Sequence, residues 1–119
     1  MSTLAEQTCK PCEDGAKPLN STDAHTMLAA LNGWHLDGDH KTIQQDFHFK
    51  NYYQTMAFVN AVAWIAHQED HHPDMTLGYN HCLIQYSTHA IGGLSQNDFI
   101  CAAKIDALLT VNNGAHGQA

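Results

Sequence analysis

Apolar residues recur along this chain at intervals of three or four in some stretches and of two in others, and each change of period marks an element. Met27, Leu28 and Leu31 stand at helical spacing behind the capping candidates Ser21, Thr22 and Asp23, and Asn32-Gly33 ends the run, which predicts a short first helix. Trp34-His35-Leu36 and the stretch from Ile43 to Phe49 alternate as strands do. Asp37-Gly38-Asp39-His40 between them has turn composition, so the two should form a hairpin. From Asn51 to about Asp70 the set Met56, Val59, Val62, Ala63 and Ala66 marks the longest helix, with Pro73 closing it and pushing His72 toward extended geometry. Met75 to Tyr79 and Cys82 to Thr88 read as two further strands. In the second, Cys82, Ile84, Tyr86 and Thr88 face one side and Leu83, Gln85 and Ser87 the other. Gly92-Gly93 breaks the chain, and Ser95 caps a last helix whose apolar stripe is Phe99, Cys101, Ala102, Ile105, Leu108 and Leu109.

Helix, two strands, helix, two strands, helix is an order in which hairpins favour an antiparallel sheet with helices on one face. The expected fold is therefore α+β, four antiparallel strands under three helices. Residues 1–19 carry Pro11, Gly15 and Pro18 with little apolar periodicity and read as a flexible leader. Residues 20–111 form a single domain, and 112–119 a flexible Gly-, Asn- and Gln-rich tail. Tyr79 and Phe47 lie in alternating apolar segments and are expected in the core.

A chain of 119 residues suits one domain with one core. A formal charge of -7, with only five Lys plus Arg and no basic run, argues against binding nucleic acid. Charged residues make up only 14%, which leaves room for surface covered by further subunits. No stretch approaches the roughly 18 apolar residues of a membrane span, and no basic segment followed by an apolar one opens the chain, so the expectation is a soluble, cytoplasmic protein. Cys82 and Cys101 sit in apolar-patterned segments and read as reduced core thiols. Cys9-Lys10-Pro11-Cys12 is a lone CxxC in a polar segment. No second pair and no neighbouring histidine completes four zinc ligands, so it reads as part of the flexible leader.

The chemistry concentrates elsewhere. His67, His71 and His72 fall within six residues, Pro73 follows, and His89 lies downstream in Tyr-Ser-Thr-His. Imidazole titrates near neutrality without much tuning, so the cluster suggests acid/base work or metal ligation. His67 and His71, four apart in the last turn of the predicted helix, should share a face and a cavity, with one of them placed to remain a usable acid. His89, just after the last strand, can lean over the sheet end toward the same place.

The run His67-Gln68-Glu69-Asp70-His71-His72-Pro73, followed by Tyr79-Asn80, Ser87-Thr88-His89 and Asp98, closely resembles the signature of the pterin-4a-carbinolamine dehydratases. Gly33-Trp34, Phe47-His48-Phe49-Lys50 and Gly93-Leu94-Ser95 also fall where that family carries similar residues, so the likeness spans roughly residues 20–110. The resemblance implies the four-stranded, three-helix fold and assembly into a dimer or tetramer. It also implies loss of water from a 4a-hydroxytetrahydropterin, left by aromatic amino-acid hydroxylases, to give the quinonoid dihydropterin. The pterin is then the substrate, with no metal and no organic cofactor, and a phenylalanine hydroxylase is an implied associate. By motif position His71 and His89 would transfer protons and His72 would bind the pterin and position its reacting carbon, the three forming the catalytic set. His67, Pro73 and Asp98 would bind or orient; Asp98 suits a carboxylate that orients a histidine, or simply a first-turn helix residue.

Two positions depart from the family pattern: His67 stands where many members carry Glu, and Met75 where animal members carry Trp. Neither touches the catalytic histidines, so altered pH dependence or affinity is expected before lost activity. A zinc site on His67, His71 and His89 is the enzymatic rival, although the zinc-protease pattern wants Glu where Gln68 stands and Glu69 is one step off. The non-enzymatic rival is a binding module, since animal members of the family also serve as dimerisation cofactors of a homeodomain transcription factor. The cysteine-bearing leader, in contrast, resembles bacterial members.

Overall fold

Alternation in the strands and helical spacing in α2 and α3 place one apolar face of each element against the others. A computed structural model describes residues 3–12 and 16–116, with side chains of the last helix described through Leu109. The elements are α1 (Ser21–Leu28), β1 (His35–Leu36), β2 (Ile43–His48), α2 (Tyr52–Glu69), β3 (Asp74–Leu77), β4 (His81–Tyr86) and α3 (Gln96–His116). Short 3-10 turns occupy Leu4–Glu6 and His89–Ile91. The sheet order is β1-β2-β4-β3, and every neighbouring pair is antiparallel. The expected α+β fold with four antiparallel strands is what the chain adopts.

Ile43 and Phe47 of β2 and Cys82, Ile84 and Tyr86 of β4 point to one side of the sheet, where all are buried. Phe58, Val62 and Ile65 of α2 and Phe99, Cys101, Ala102 and Ile105 of α3 close the same core. The opposite face is polar: Gln44 and Gln85 are partners in register, and Gln85 Nε2 donates a hydrogen bond to Gln44 Oε1 at 3.0 Å. Phe47 is core as expected. Tyr79 is not: it lies in the β3–β4 turn, 65% exposed, with its ring stacked on Tyr52. The alternation that suggested burial ends at Leu77, because Gly78 turns the chain and its N–H bonds the His81 carbonyl at 2.9 Å.

α2 ends at Glu69, four residues before the proline expected to stop it. Asp70 takes the left-handed conformation (φ 51°, ψ 44°), and the His71 N–H bonds back to the Ala66 carbonyl at 3.1 Å. This is a Schellman closure with an aspartate where glycine is usual, so the composition carries little sign of it.

Both termini of the expected domain also differ. Of the leader, residues 3–12 lie against α3 instead of hanging free: Lys104 Nζ donates to the Ala5 carbonyl at 2.8 Å, and Leu4 and Cys9 pack on the core. α3 continues through Asn112, Asn113 and Gly114 to His116, past the expected end at residue 111. Residues 1–2, 13–15 and 117–119, also part of the expected leader and tail, fall outside the described residues. Among the described residues no helix is long and apolar enough to cross a membrane.

Candidate functional site

Three chain breaks meet at one end of the sheet. The inward alternation of β4 continues past the strand, so Tyr86 and then Thr88 face the interior. Thr88 bridges to Gly93, and the 3-10 turn His89–Ile91 loops out between them. α3 then begins with a capping box: the Asp98 carboxylate accepts the Ser95 N–H at 2.9 Å, and Ser95 Oγ accepts the Asn97 N–H at 3.2 Å. The positive end of α3 favours a carboxylate there.

The closure at Asp70 brings His71 onto this point. Its ring stacks on Tyr86 at 5.4 Å and 10°, and its Nε2 lies 2.6 Å from Asp98 Oδ1. Asp98 is fully buried; its second oxygen accepts the Thr88 hydroxyl at 2.8 Å, and Thr88 Oγ1 and Ser95 Oγ are themselves 2.8 Å apart. Burial works against a charged His71, but the hydrogen bond it donates to the Asp98 carboxylate and the charge of that carboxylate outweigh this and hold the imidazole pKa above its ordinary value. Burial also pushes the Tyr86 phenol well up, so it stays neutral beside the imidazole. The arrangement favours the protonated form of a largely buried imidazole that opens onto a cavity of about 380 Å³, with Thr88, Glu69, Asp70 and Asn97 also in its wall. That volume is in the range of small-molecule sites.

The other expected site residues are placed as follows. β3 pairs with β4 at Asp74↔Gln85, so Pro73 and His72 on one strand and Ser87 to His89 on the other leave the sheet at the same end. His72 and His89 are exposed and Pro73 half-buried; Ala90 lines the cavity, but neither His72 nor His89 does. His67 does not share a face with His71. It remains on the exposed side of α2, stacked on Trp64 at 5.8 Å, because the left-handed Asp70 swings His71 inward. Met75 packs on the core opposite Ile84 instead of facing the cavity, so its departure from the family pattern is a change of packing. Among the described residues no group of three or more His, Cys, Asp and Glu side chains is arranged to hold a metal ion.

Thr88, Tyr86 and Ser95 were missed as site residues. The continued β4 alternation and the Ser95-x-x-Asp98 spacing are the signals that carried them. The leader residues Cys9–Cys12, also in the cavity wall, left no such signal.

An α+β scaffold sets a buried carboxylate–imidazole pair at a cavity of small-molecule size, an arrangement that can hold and release a proton. Residues 17–108 match the family model described as pterin 4 alpha carbinolamine dehydratase, and the chain belongs to that family. A relative from Nitrosospira multiformis is 61% identical over 91% of this chain and 94% of its own, and one from Nitrosomonas eutropha 64% identical over 89% and 93%. Both are named, provisionally, pterin-4-alpha-carbinolamine dehydratase. Among solved structures, a transcriptional coactivator/pterin dehydratase from Brucella melitensis superposes with a TM-score of 0.74 at 28% identity, covering 77% of this chain and 98% of that one. A pterin dehydratase-like protein identified as a RuBisCO assembly factor in the alpha-carboxysome matches with a TM-score of 0.57 at 26% identity, over 65% of this chain and 89% of that one.

Proposed function

We propose that this chain dehydrates a 4a-hydroxytetrahydropterin to the quinonoid dihydropterin, with His71 as the acid. The reading rests on one observation above others: a fully buried carboxylate, Asp98, set 2.6 Å from an imidazole that opens onto a cavity. Burying a carboxylate is costly unless it is fully hydrogen-bonded, and a module that only docks on a partner has no need of one tied to a titrating group. In the proposed step the C4a–O bond breaks as His71 gives its proton to the departing hydroxyl, which leaves as water. The N5 proton passes to His89, which is exposed and stands outside the cavity wall, next in the chain to the lining residue Ala90, and the electron pair of the N5–H bond forms the C4a–N5 double bond. Charge and atoms balance over the pterin and the two imidazoles, and His72 and Pro73 orient the ring. Asp98 holds the His71 tautomer, and the pterin is substrate, with no metal or organic cofactor in the step.

The same reading makes the protein a recycler of the pterin used by aromatic amino-acid hydroxylases, in the cytoplasm, with a phenylalanine hydroxylase as associate. It is a homo-oligomer: Tyr52, Tyr53 and Trp64 on α2 are exposed, as on a helix face that meets another subunit. Spectrophotometric dehydration assays of His71→Ala and His89→Ala, with circular dichroism as the check on folding, test the chemistry. Each variant is expected to lose about 10²- to 10⁴-fold in kcat. A wild-type rate in both folded variants overturns the proposal.

A further inference from the structure

The segment Cys9–Cys12 precedes the residues that match the family model, yet all four of its residues stand in the wall of the cavity onto which His71 opens. It is held there by specific bonds. The Cys9 N–H donates to Glu69 Oε1 at 2.8 Å, where α2 ends, and Cys9 Sγ lies 3.6 Å from Cys101 Sγ. Asn97 pairs with the Lys10 backbone in both directions: its Oδ1 accepts the Lys10 N–H at 3.0 Å and its Nδ2 donates to the Lys10 carbonyl at 2.6 Å. A second contact from the same amide reaches Cys12 Sγ at 3.8 Å. Upstream, Gln96 Nε2 donates to Gln7 Oε1 at 2.7 Å and Lys104 to the Ala5 carbonyl at 2.8 Å. Every anchor comes from the end of α2 or from α3, the two elements that also frame the His71–Asp98 pair. A loose arm would not satisfy so many backbone groups with side chains about 60 to 99 positions away.

We infer that the leader segment Cys9–Cys12 forms part of the ligand pocket and contacts the molecule bound against His71, with Asn97 as the residue that positions it. The inference rests on the proposed function, in which that molecule is a reduced pterin. His71, Thr88 and Cys9–Cys12 line one and the same cavity of about 380 Å³, a volume in the small-molecule range, which puts the leader within reach of a ligand that touches His71 and Thr88. Pro11 adds apolar surface to a wall that also carries the polar Gln68, Glu69, Asp70, Thr88 and Asn97. Among the described residues the partners of the Asp98 carboxylate are His71, Thr88 and Ser95, none of them in the leader. The leader therefore acts on binding and leaves proton transfer to the rest of the site.

The test compares the full-length chain with Asn97→Ala and with a chain lacking residues 1–12. Steady-state dehydration is measured, together with the Kd of the non-reacting ligand 7,8-dihydrobiopterin by fluorescence titration. Asn97→Ala removes two hydrogen bonds to the leader backbone, each worth a few-fold in an equilibrium, so KM and Kd should rise roughly tenfold, and the chain lacking residues 1–12, which keeps Asn97, should show the same rise. Alanine suits the first turn of α3, so this variant reports even where the truncation does not fold. Unchanged KM and Kd in a folded Asn97→Ala, or a fall in kcat alone, overturns the leader's role while leaving the proposed function standing. A full-length chain that neither dehydrates nor binds the pterin overturns the proposed function and this inference with it.

Discussion

Asp98→Asn removes a charge at nearly constant volume and so isolates what the carboxylate does for His71. Asp98 is fully buried and accepts from His71 Nε2 at 2.6 Å, from Thr88 Oγ1 at 2.8 Å and from the Ser95 N–H at 2.9 Å. An amide can keep two of the three, its oxygen facing Thr88 and Ser95, but its NH2 then faces Nε2, which must be unprotonated to accept. The charge-assisted bond is lost, and such bonds contribute about 1.5–3 kcal/mol. The His71 side chain is 13% exposed, so solvent screens little of that. In the wild type the folded pKa of His71 is raised above the unfolded value of about 6.5. The stabilisation is therefore fully present below that value and lost as pH rises through the folded pKa. Urea denaturation at about pH 5.5 should show the variant less stable by roughly 1.5–3 kcal/mol, and at a pH above the folded pKa of His71, located by NMR titration of the wild type, the gap should narrow to that of a neutral hydrogen bond, about 1 kcal/mol. NMR titration of the His71 ring should show its pKa moving down. A gap equal at both pH values, or a His71 pKa that stays put, refutes the account of the pair.

Three further outcomes follow from the packing. Asp70→Gly should raise stability by about 0.5–1 kcal/mol, because the left-handed turn at φ 51° suits glycine, while Asp70→Ala should lower it; chemical denaturation gives both signs, and the reverse order would remove strain at Asp70 from the description. Gly33→Ala should destabilise by about 1–3 kcal/mol, since a Cβ at φ +79° would stand 2.4 Å from Gln45 Oε1; an unchanged Tm contradicts it. Phe99→Ala empties a fully buried site shared by α3 and the sheet and should cost about 3–5 kcal/mol, read as a Tm lower by more than about 10 °C.

Local order was legible in the sequence wherever a period or a cap expressed it. The alternation of β4 foretold which of its residues are buried, the spacing of α3 foretold its inner face, and Asp37 to His40 foretold the first hairpin; on α2 the expected set found Val59, Val62 and Ala66 but included Ala63, which is exposed, and passed over the buried Phe58 and Ile65. The motif around His71 named the region of the site. Such signals are short-range: they depend on residues two to four apart, and the chain states them directly.

What only the tertiary structure decided is where long-range partners meet. That His71 leaves the helix face of His67 depends on one left-handed residue, Asp70, whose side chain does not announce it. That Asp98 serves an imidazole as well as a helix cap depends on the chain folding back over a separation of 27 positions. The leader was misread for the same reason. Its polar, proline-bearing composition cannot form a core of its own, and its order comes from Glu69, Asn97 and Lys104, side chains that periodicity within the leader cannot reveal. Contacts between segments distant in sequence carry no period, so they become visible only when the sheet and helices bring those segments together.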